Sequence, residues 1–326
     1  YWGEFQAING SLIHRTETDE AIAALEAGRS IVIHGRAGVG KSGCVEEIRR
    51  YLKEKHTLFL GIKLDKKIPS TSADKFGEDL GLPQSPVICL SGLAAGKQCV
   101  LILDQLDSLR WTNAHSSDAL DVCKELLRQT LGVNGYENGR VSIILVSRTF
   151  DLENDNGLRS LLSCSRGGRG IEWADICVNE FEPQEARNIV GQGYAYMPKR
   201  MQRLLSAPAV LYVWQRLNDQ DRKNDYRTVY DLLCAWWNDT LDCCEKAGVR
   251  KNDVIECRDF IVGKMSASGR FYLPDALLID MDSAVSALVS SGMLVRDNHI
   301  ISFVHQSFLD YFISHDAIKT IYSGKS

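Results

Sequence analysis

Short apolar runs set the rhythm of the first half of the chain. Residues 31–34, 57–64, 99–103, 141–146 and 174–178 are near-continuous in apolar character, and helical or loop stretches separate them. Runs of this kind predict strands buried on both faces, so the pattern predicts a doubly wound α/β fold with a parallel sheet. Residues 1–29 read as a lead-in, with an irregular start and a helix over 17–26 that Gly28 ends. Three stretches read as looser: 66–86, rich in Ser, Pro and Gly; 132–140, a Gly/Asn turn region; and the glycine loop 167–170.

After Val178 the rhythm changes to helical. Short helices are expected over 183–191, 198–205 and 208–217, two of them with proline at or near the first turn. The charged segment 218–227 reads as an exposed connection, and 226–246 as a longer helix carrying Trp236-Trp237, one ring buried in the helical core and the other at an interface. The last part predicts helices over 259–266 and 283–291, then a β-pair made of 293–295, a turn at 296–299, and 300–304. Helix, helix and hairpin make a winged-helix pattern. The expected division is a nucleotide-binding domain over 1–180, a small helical domain over 181–248 and a winged helix over 249–326.

Composition narrows the class. With 326 residues, 44% hydrophobic and 25% charged, the chain has the make-up of a soluble globular protein with a sizeable core. A net charge of −4 argues against general polyanion binding. The ten cysteines are scattered without C-x-x-C or zinc spacing, which fits reduced thiols in a cytoplasmic protein. No apolar run is long enough to span a bilayer, no signal-peptide pattern opens the chain, and a start at Tyr1-Trp2-Gly3 reads as a fragment of a longer polypeptide.

Candidate chemistry begins at Gly35-Arg36-Ala37-Gly38-Val39-Gly40-Lys41-Ser42, a full G-x-x-x-x-G-K-[ST] phosphate loop between a predicted strand and a helix at 43–55. Gly35, Gly38 and Gly40 let the backbone wrap close and aim N–H groups at phosphates, and Val39 and Gly43 complete the cradle at the helix N-terminus. Lys41 is placed to reach β- and γ-phosphates, and Ser42 to ligate Mg²⁺. The run 99–103 ends in Asp104, a buried strand closing on an acid about sixty residues after the loop, which suits a second Mg²⁺ ligand. Asp107 has two readings, a carboxylate that polarises attacking water or a solvated helix cap. Arg148, after Ser147 at the end of the 141–146 run, reads either as a γ-phosphate sensor or as a surface arginine at a sheet end.

In this order, the residues resemble the STAND signal-transduction ATPases, whose cores include the NACHT and NB-ARC modules. His14-Arg15-Thr16-Glu17 is similar to that family's Gly-Arg-Glu lead-in beside the adenine, with His14 replacing the glycine and Thr16 intervening. Asp104-Gln105-Leu106-Asp107-Ser108 resembles the NACHT acidic motif, although Ser108 stands where an acid is common, a departure that bears on hydrolysis rate rather than binding. Leu145-Val146-Ser147-Arg148 is similar to the sensor strand, and Ser206-Ala207-Pro208-Ala209-Val210-Leu211 to the Gly-x-Pro motif that approaches adenine and ribose. Phe303-Val304-His305-Gln306-Ser307-Phe308-Leu309-Asp310-Tyr311-Phe312 resembles the winged-helix segment of NACHT-type proteins. The resemblance implies that Arg15, Pro208 and His305 touch bound nucleotide, His305 at the ADP diphosphate. By itself His305 also reads as an ordinary half-buried histidine.

What the resemblance implies is a slow ATPase acting as a molecular switch: closed with ADP, oligomerising with ATP and Mg²⁺. Effector and sensor domains would lie in cis outside this stretch, a protein trigger would act on them, and antiviral defence is the natural role in a bacterial setting. The expected recognition helix at 283–291 has no Arg, Lys, Asn or Gln, which argues against base readout through the winged helix. The basic segment at 198–203 reads as a solvated helix face. Two alternatives are an AAA+ remodelling or loader ATPase, and a nucleotide-stabilised scaffold with little hydrolysis.

Overall fold

The strands of the first half form one parallel sheet. In the computed structural model, residues 5, 7, 8, 10, 12–110, 116–135, 140–163, 171–297 and 299–322 are described. They divide into two compact units, one of residues 12–37 and 41–179, the other of 180–322 together with 38–40.

In the first unit β1 (Ser30–Gly35), β2 (Leu58–Lys63), β3 (Cys99–Asp104), β4 (Val141–Arg148) and β5 (Trp173–Cys177) run in the order β2-β3-β4-β1-β5. All pairings are parallel, with Ile33 beside Val146 and Leu101 beside Ile143. Alternation explains the near-continuous apolar runs. Cys99, Leu101, Leu103, Ile143 and Leu145 enter one buried cluster with residues of α3 (Ala73–Asp79), α4 (Pro86–Ala94), α5 (Ser116–Asn134) and α7 (Asn156–Ser163). Val100, Ile102, Ile144 and Val146 lie outside that cluster yet are equally buried. The helices α1 (Thr16–Glu26) and α2 (Lys41–Glu54) contact β1, β2 and β5 and bury Ala21, Leu25, Val45 and Ile48. The short α6 (Thr149–Asn154) leaves the end of β4.

Two expected loops are partly helical. The Ser72 hydroxyl caps α3 by accepting the Lys75 N–H at 3.1 Å, and the apolar Ala73, Phe76 and Leu80 turn inward inside a stretch whose composition reads as loop. Gly77 is required within that helix because an added Cβ would lie 1.9 Å from the Gln84 carbonyl oxygen. The helix α5 runs through Asn134, so residues 132–134 are helical rather than turn; 136–139 and the glycine loop 167–170 lie outside the described residues.

The second unit holds α8 (Pro183–Val190), α9 (Lys199–Leu205), α10 (Pro208–Arg216), α11 (Val229–Lys246), α12 (Lys251–Ser268), α13 (Asp282–Ser290) and α14 (Gln306–Tyr322). On α9 Met201 and Leu205 turn inward while Lys199, Arg200 and Arg203 stay out, Arg200 pairing with Asp225 at 2.7 Å. The expected helix at 259–266 begins eight residues earlier. Val254, Cys257, Ile261 and Met265 form its buried seam, while the charged residues between them obscure the periodicity.

The three strands β6 (Tyr272–Pro274), β7 (Leu294–Asp297) and β8 (Ile300–Phe303) form an antiparallel sheet in the order β6-β8-β7. Three residues ending in proline carry too little pattern for β6 to be read from sequence. Asn298, within the expected turn, is outside the described residues. Both rings of Trp236-Trp237 are buried, which corrects the expectation of one interface ring. Trp236 packs on Phe308 at 4.9 Å, and Trp237 packs on Phe312 at 5.2 Å beneath the Arg258 guanidinium. Among the described residues nine cysteines are free, and no helix is long and apolar enough to cross a membrane.

Candidate functional site

Sheet order brings the motif residues to one edge. The loop leaves β1 at Gly35, which is in register with Arg148 of β4, and β3 lies beside β4 on its other side and ends in Asp104. Three neighbouring strands thus carry candidate residues at their carboxyl ends, the usual ligand edge of an open α/β sheet. His34, just before the loop, is held on both ring nitrogens: Nδ1 is 2.8 Å from the Thr149 hydroxyl and Nε2 3.1 Å from Asp175 Oδ1. A cavity of about 550 Å³ beside it is lined by Val32, His34, Thr149 and Asp175, away from the loop motif.

Gly38 and Gly40 have φ of +79° and +100°, conformations that a side chain disfavours. The segment 38–40 groups with the second unit, where the Gly38 carbonyl accepts the Ala209 N–H at 3.1 Å. A Cβ on Gly38 would lie 3.0 Å from that of Ala209, so space as well as φ requires glycine there. Val39 between them is buried. Lys41, Ser42 and Gly43 open α2 directly after the loop. The Lys41 ammonium donates to the carbonyls of Gly35 at 3.0 Å and Arg36 at 2.8 Å, spanning the loop it leaves. Burial draws Lys41 below the usual lysine range, an effect that the nearby Asp107 opposes.

Asp104 is 1% exposed. Its Oδ1 accepts the Gln105 N–H at 2.9 Å, while Oδ2 is sealed from solvent with no hydrogen-bond partner among the described residues. Burial lifts its carboxyl from 3.8 to about 6. Gln105 adopts φ of +62°, a strained value for a residue with a side chain, at the point where the chain turns off β3. An orphaned carboxylate oxygen beside a phosphate loop is a donor set suited to a hard divalent cation. Among the described residues no group of three His, Cys, Asp or Glu can hold a metal alone, so a cation at Asp104 would need other oxygens, such as those of phosphate and water, for its remaining ligands.

Asp107 and Arg148 meet. Asp107, on the 3₁₀ turn Leu106–Arg110, is buried, and its Oδ2 lies 3.0 Å from Arg148 Nε as a close ion pair without an aligned hydrogen bond. Burial raises the Asp107 carboxyl, and the Arg148 charge partly offsets that. Lys41 feels Asp107, Arg148, Asp104 and Asp151 together, so these groups form one electrostatic cluster. Ser108 and Ser147 are buried beside it, each hydroxyl without a hydrogen-bond partner among the described residues.

The remaining candidates occupy other surroundings. Arg15 is buried at the start of α1, where Nη2 donates to Glu17 Oε1 and to the Asn179 carbonyl, both at 2.9 Å, tying the lead-in to the segment after β5. Pro208 is buried at the first turn of α10. His305, after β8, stands edge-on to Tyr212 of α10 at 4.9 Å and to Phe308 at 5.3 Å, so the second unit brings the Pro208 helix and His305 together. The Tyr212 hydroxyl donates to the Gly292 carbonyl at 2.9 Å, which helps to hold that face of α10.

Asp65 is absent from the sequence-read candidates. It follows β2 by two residues, and an acid just past a predicted strand is the signal that identifies Asp104. The same rule would have found it.

No established family's sequence pattern matches the chain, and no curated protein matches it. Solved structures do. A signal transduction ATPase with numerous domains and a tetratricopeptide repeat sensor, from Pyrococcus horikoshii, matches 93% of this chain at 10% identity and a TM-score of 0.51, and the chain spans 42% of that protein. The Cdc6p of Pyrobaculum aerophilum matches 94% of the chain and 95% of its own length at 12% identity and a TM-score of 0.44. The ORC2 protein of Aeropyrum pernix, in ADPNP and ADP complexes, matches 93% of the chain and 91% of its own length at 12% identity and a TM-score of 0.44. The fold is that of the P-loop NTPases, a five-stranded parallel sheet with surrounding helices and a helical C-terminal region.

Proposed function

We propose that this chain is an ATP/ADP-dependent molecular switch, the nucleotide module of a larger cytoplasmic signalling or defence protein. Residues 1–180 would bind nucleotide, 181–248 form a small helical domain and 249–326 a winged helix. The observation that carries the reading is the pairing of an anion cradle with a buried carboxylate oxygen that has no partner. Lys41 and the loop glycines supply donors for phosphate, and Asp104 Oδ2 supplies an acceptor for Mg²⁺. Ser42 and Asp104 would hold that cation, which when bound neutralises charge on the phosphate oxygens.

A switch rather than a fast motor is favoured by Asp107 and Arg148. Both are candidates for the hydrolytic step, and they are engaged with one another at 3.0 Å, with Ser108 beside them in place of a further acid. Hydrolysis is then slow and regulatory. ADP stabilises a closed arrangement, and ATP with Mg²⁺ favours one that self-associates. A nucleotide drives such a shift only through unequal affinity for the two states. Effector and sensor domains in cis and a protein trigger belong to this reading. Nucleic acid at the winged helix and a membrane do not.

The test is to denature the purified protein, identify the released nucleotide by chromatography, and compare size exclusion with and without ATP and Mg²⁺. Bound ADP on a monomer that grows with ATP is the expected result. An empty site with rapid multiple turnover indicates a remodelling or loader ATPase, and ADP that neither turns over nor changes assembly indicates a scaffold.

His305→Ala separates the family-specific part of the reading from generic nucleotide binding. Loss of one hydrogen bond to a charged phosphate oxygen is worth roughly 1.5–3 kcal/mol, so ADP should leave about tenfold faster or more. Release of a fluorescent ADP is the readout, with thermal unfolding as the control for lost packing on Tyr212. An unchanged release rate and unchanged assembly would remove His305 from the site.

A further inference from the structure

Asp104 has an acidic neighbour with no assigned task. The last residue of β2, Lys63, is in register with Asp104, and the Leu64 N–H extends the pairing by donating to the Asp104 carbonyl at 2.9 Å. Asp65 comes next, on a turn fixed by the N–H groups of Lys66 and Lys67, which donate to the Lys63 carbonyl at 3.1 and 2.9 Å. Its Oδ1 is sealed from solvent without a hydrogen-bond partner among the described residues, as is Asp104 Oδ2. Asp65 helps to raise the Asp104 carboxyl, Lys63 acts on both in the opposite direction, and Lys66 joins it at Asp65. Each acid thus keeps one sealed acceptor oxygen that no donor among the described residues uses. Such an arrangement is costly without a cation.

We infer that Asp65 is a second carboxylate of the divalent-cation site, acting with Asp104 across the ends of β2 and β3. The inference rests on the nucleotide-binding reading above. Mg²⁺ dehydrates reluctantly and is held through one or two carboxylates together with substrate phosphates, so Asp65 acts on the water shell of the ion while Asp104 faces the ion itself. Its contribution is to the affinity and orientation of the cation, and nucleotide bound without a cation does not depend on it.

The experiment uses the full chain saturated with ADP and titrated with Mn²⁺, with free Mn²⁺ read by electron paramagnetic resonance. In Asp65→Asn the half-saturating Mn²⁺ concentration should rise about tenfold, the scale for removing a supporting ligand of a metal site. ADP affinity in EDTA should match the wild type. If Asp65→Asn does not fold by circular dichroism, Asp65→Ser takes its place under the same reading. Equal Mn²⁺ half-saturation in the folded variant and the wild type overturns the assignment of Asp65 alone. A wild-type protein that takes up no ADP overturns the nucleotide reading first, and this inference with it.

Discussion

Replacing Lys41 by alanine lowers nucleotide affinity about a hundredfold, because it removes charge-assisted donation to phosphate worth roughly 1.5–3 kcal/mol for each bond. The fold should survive. Lys41 is held within its own loop by the Gly35 and Arg36 carbonyls, and burial already works against its charge. The strands around it draw their stability from apolar residues such as Ile31, Ile33 and Val146. Thermal unfolding without nucleotide should therefore match or exceed the wild type, while calorimetric titration with ADP loses its signal. Lys41→Arg keeps the charge but presents a planar fork instead of a compact ammonium, and should recover only part of the affinity. Undiminished ADP binding by Lys41→Ala would mean that the loop does not hold phosphate.

Asp104→Asn separates stability from function. In the wild type, burial lifts this carboxyl from 3.8 to about 6 in the folded state. The folded protein then holds the proton more tightly than the unfolded chain, so stability falls as pH rises between those values. Above that window the charged form carries a constant penalty of about 3 kcal/mol, because each tenfold difference in proton affinity corresponds to about 1.4 kcal/mol. Asparagine has no charge to desolvate and keeps an oxygen for the Gln105 N–H. The variant should be the more stable protein at pH 7.5 by about 1–3 kcal/mol, with the advantage fading towards pH 4. It should also lose about tenfold or more of the gain in nucleotide affinity that Mg²⁺ provides. Urea unfolding at pH 4.5 and 7.5, with and without Mg²⁺ and ADP, tests both parts. A variant less stable than the wild type at both pH values would place Asp104 in a purely structural role.

Legibility in the sequence tracks the range of the interaction. The strand–loop–helix around Gly35 to Ser42 is legible because its requirements are local: positive φ at Gly38 and Gly40, and a helix starting at Lys41. The central strands β1, β3 and β4 are legible because a strand covered on both faces is apolar at nearly every position, while the edge strands β2 and β5 are only partly buried. Asp104 belongs to the same group, as an acid at the end of such a strand. Short or diluted patterns were lost: β6 has three residues, α12 hides its apolar seam among charges, and Ser72 caps α3 inside a stretch with loop composition.

From the sequence alone, this protein is a doubly wound α/β chain with a phosphate loop, a facing acid and a helical second half. Those features follow from backbone conformation and from the number of apolar residues in a row, quantities each segment carries by itself. Only the tertiary structure pairs Asp107 with Arg148, sets the turn that carries Asp65 beside the end of β3, buries both Trp236 and Trp237, and stands His305 against Tyr212. The cause is the same in each case. Charge pairing, desolvation and ring packing depend on neighbours up to about a hundred residues away, and the sheet order and helix packing that choose those neighbours are properties of the folded chain.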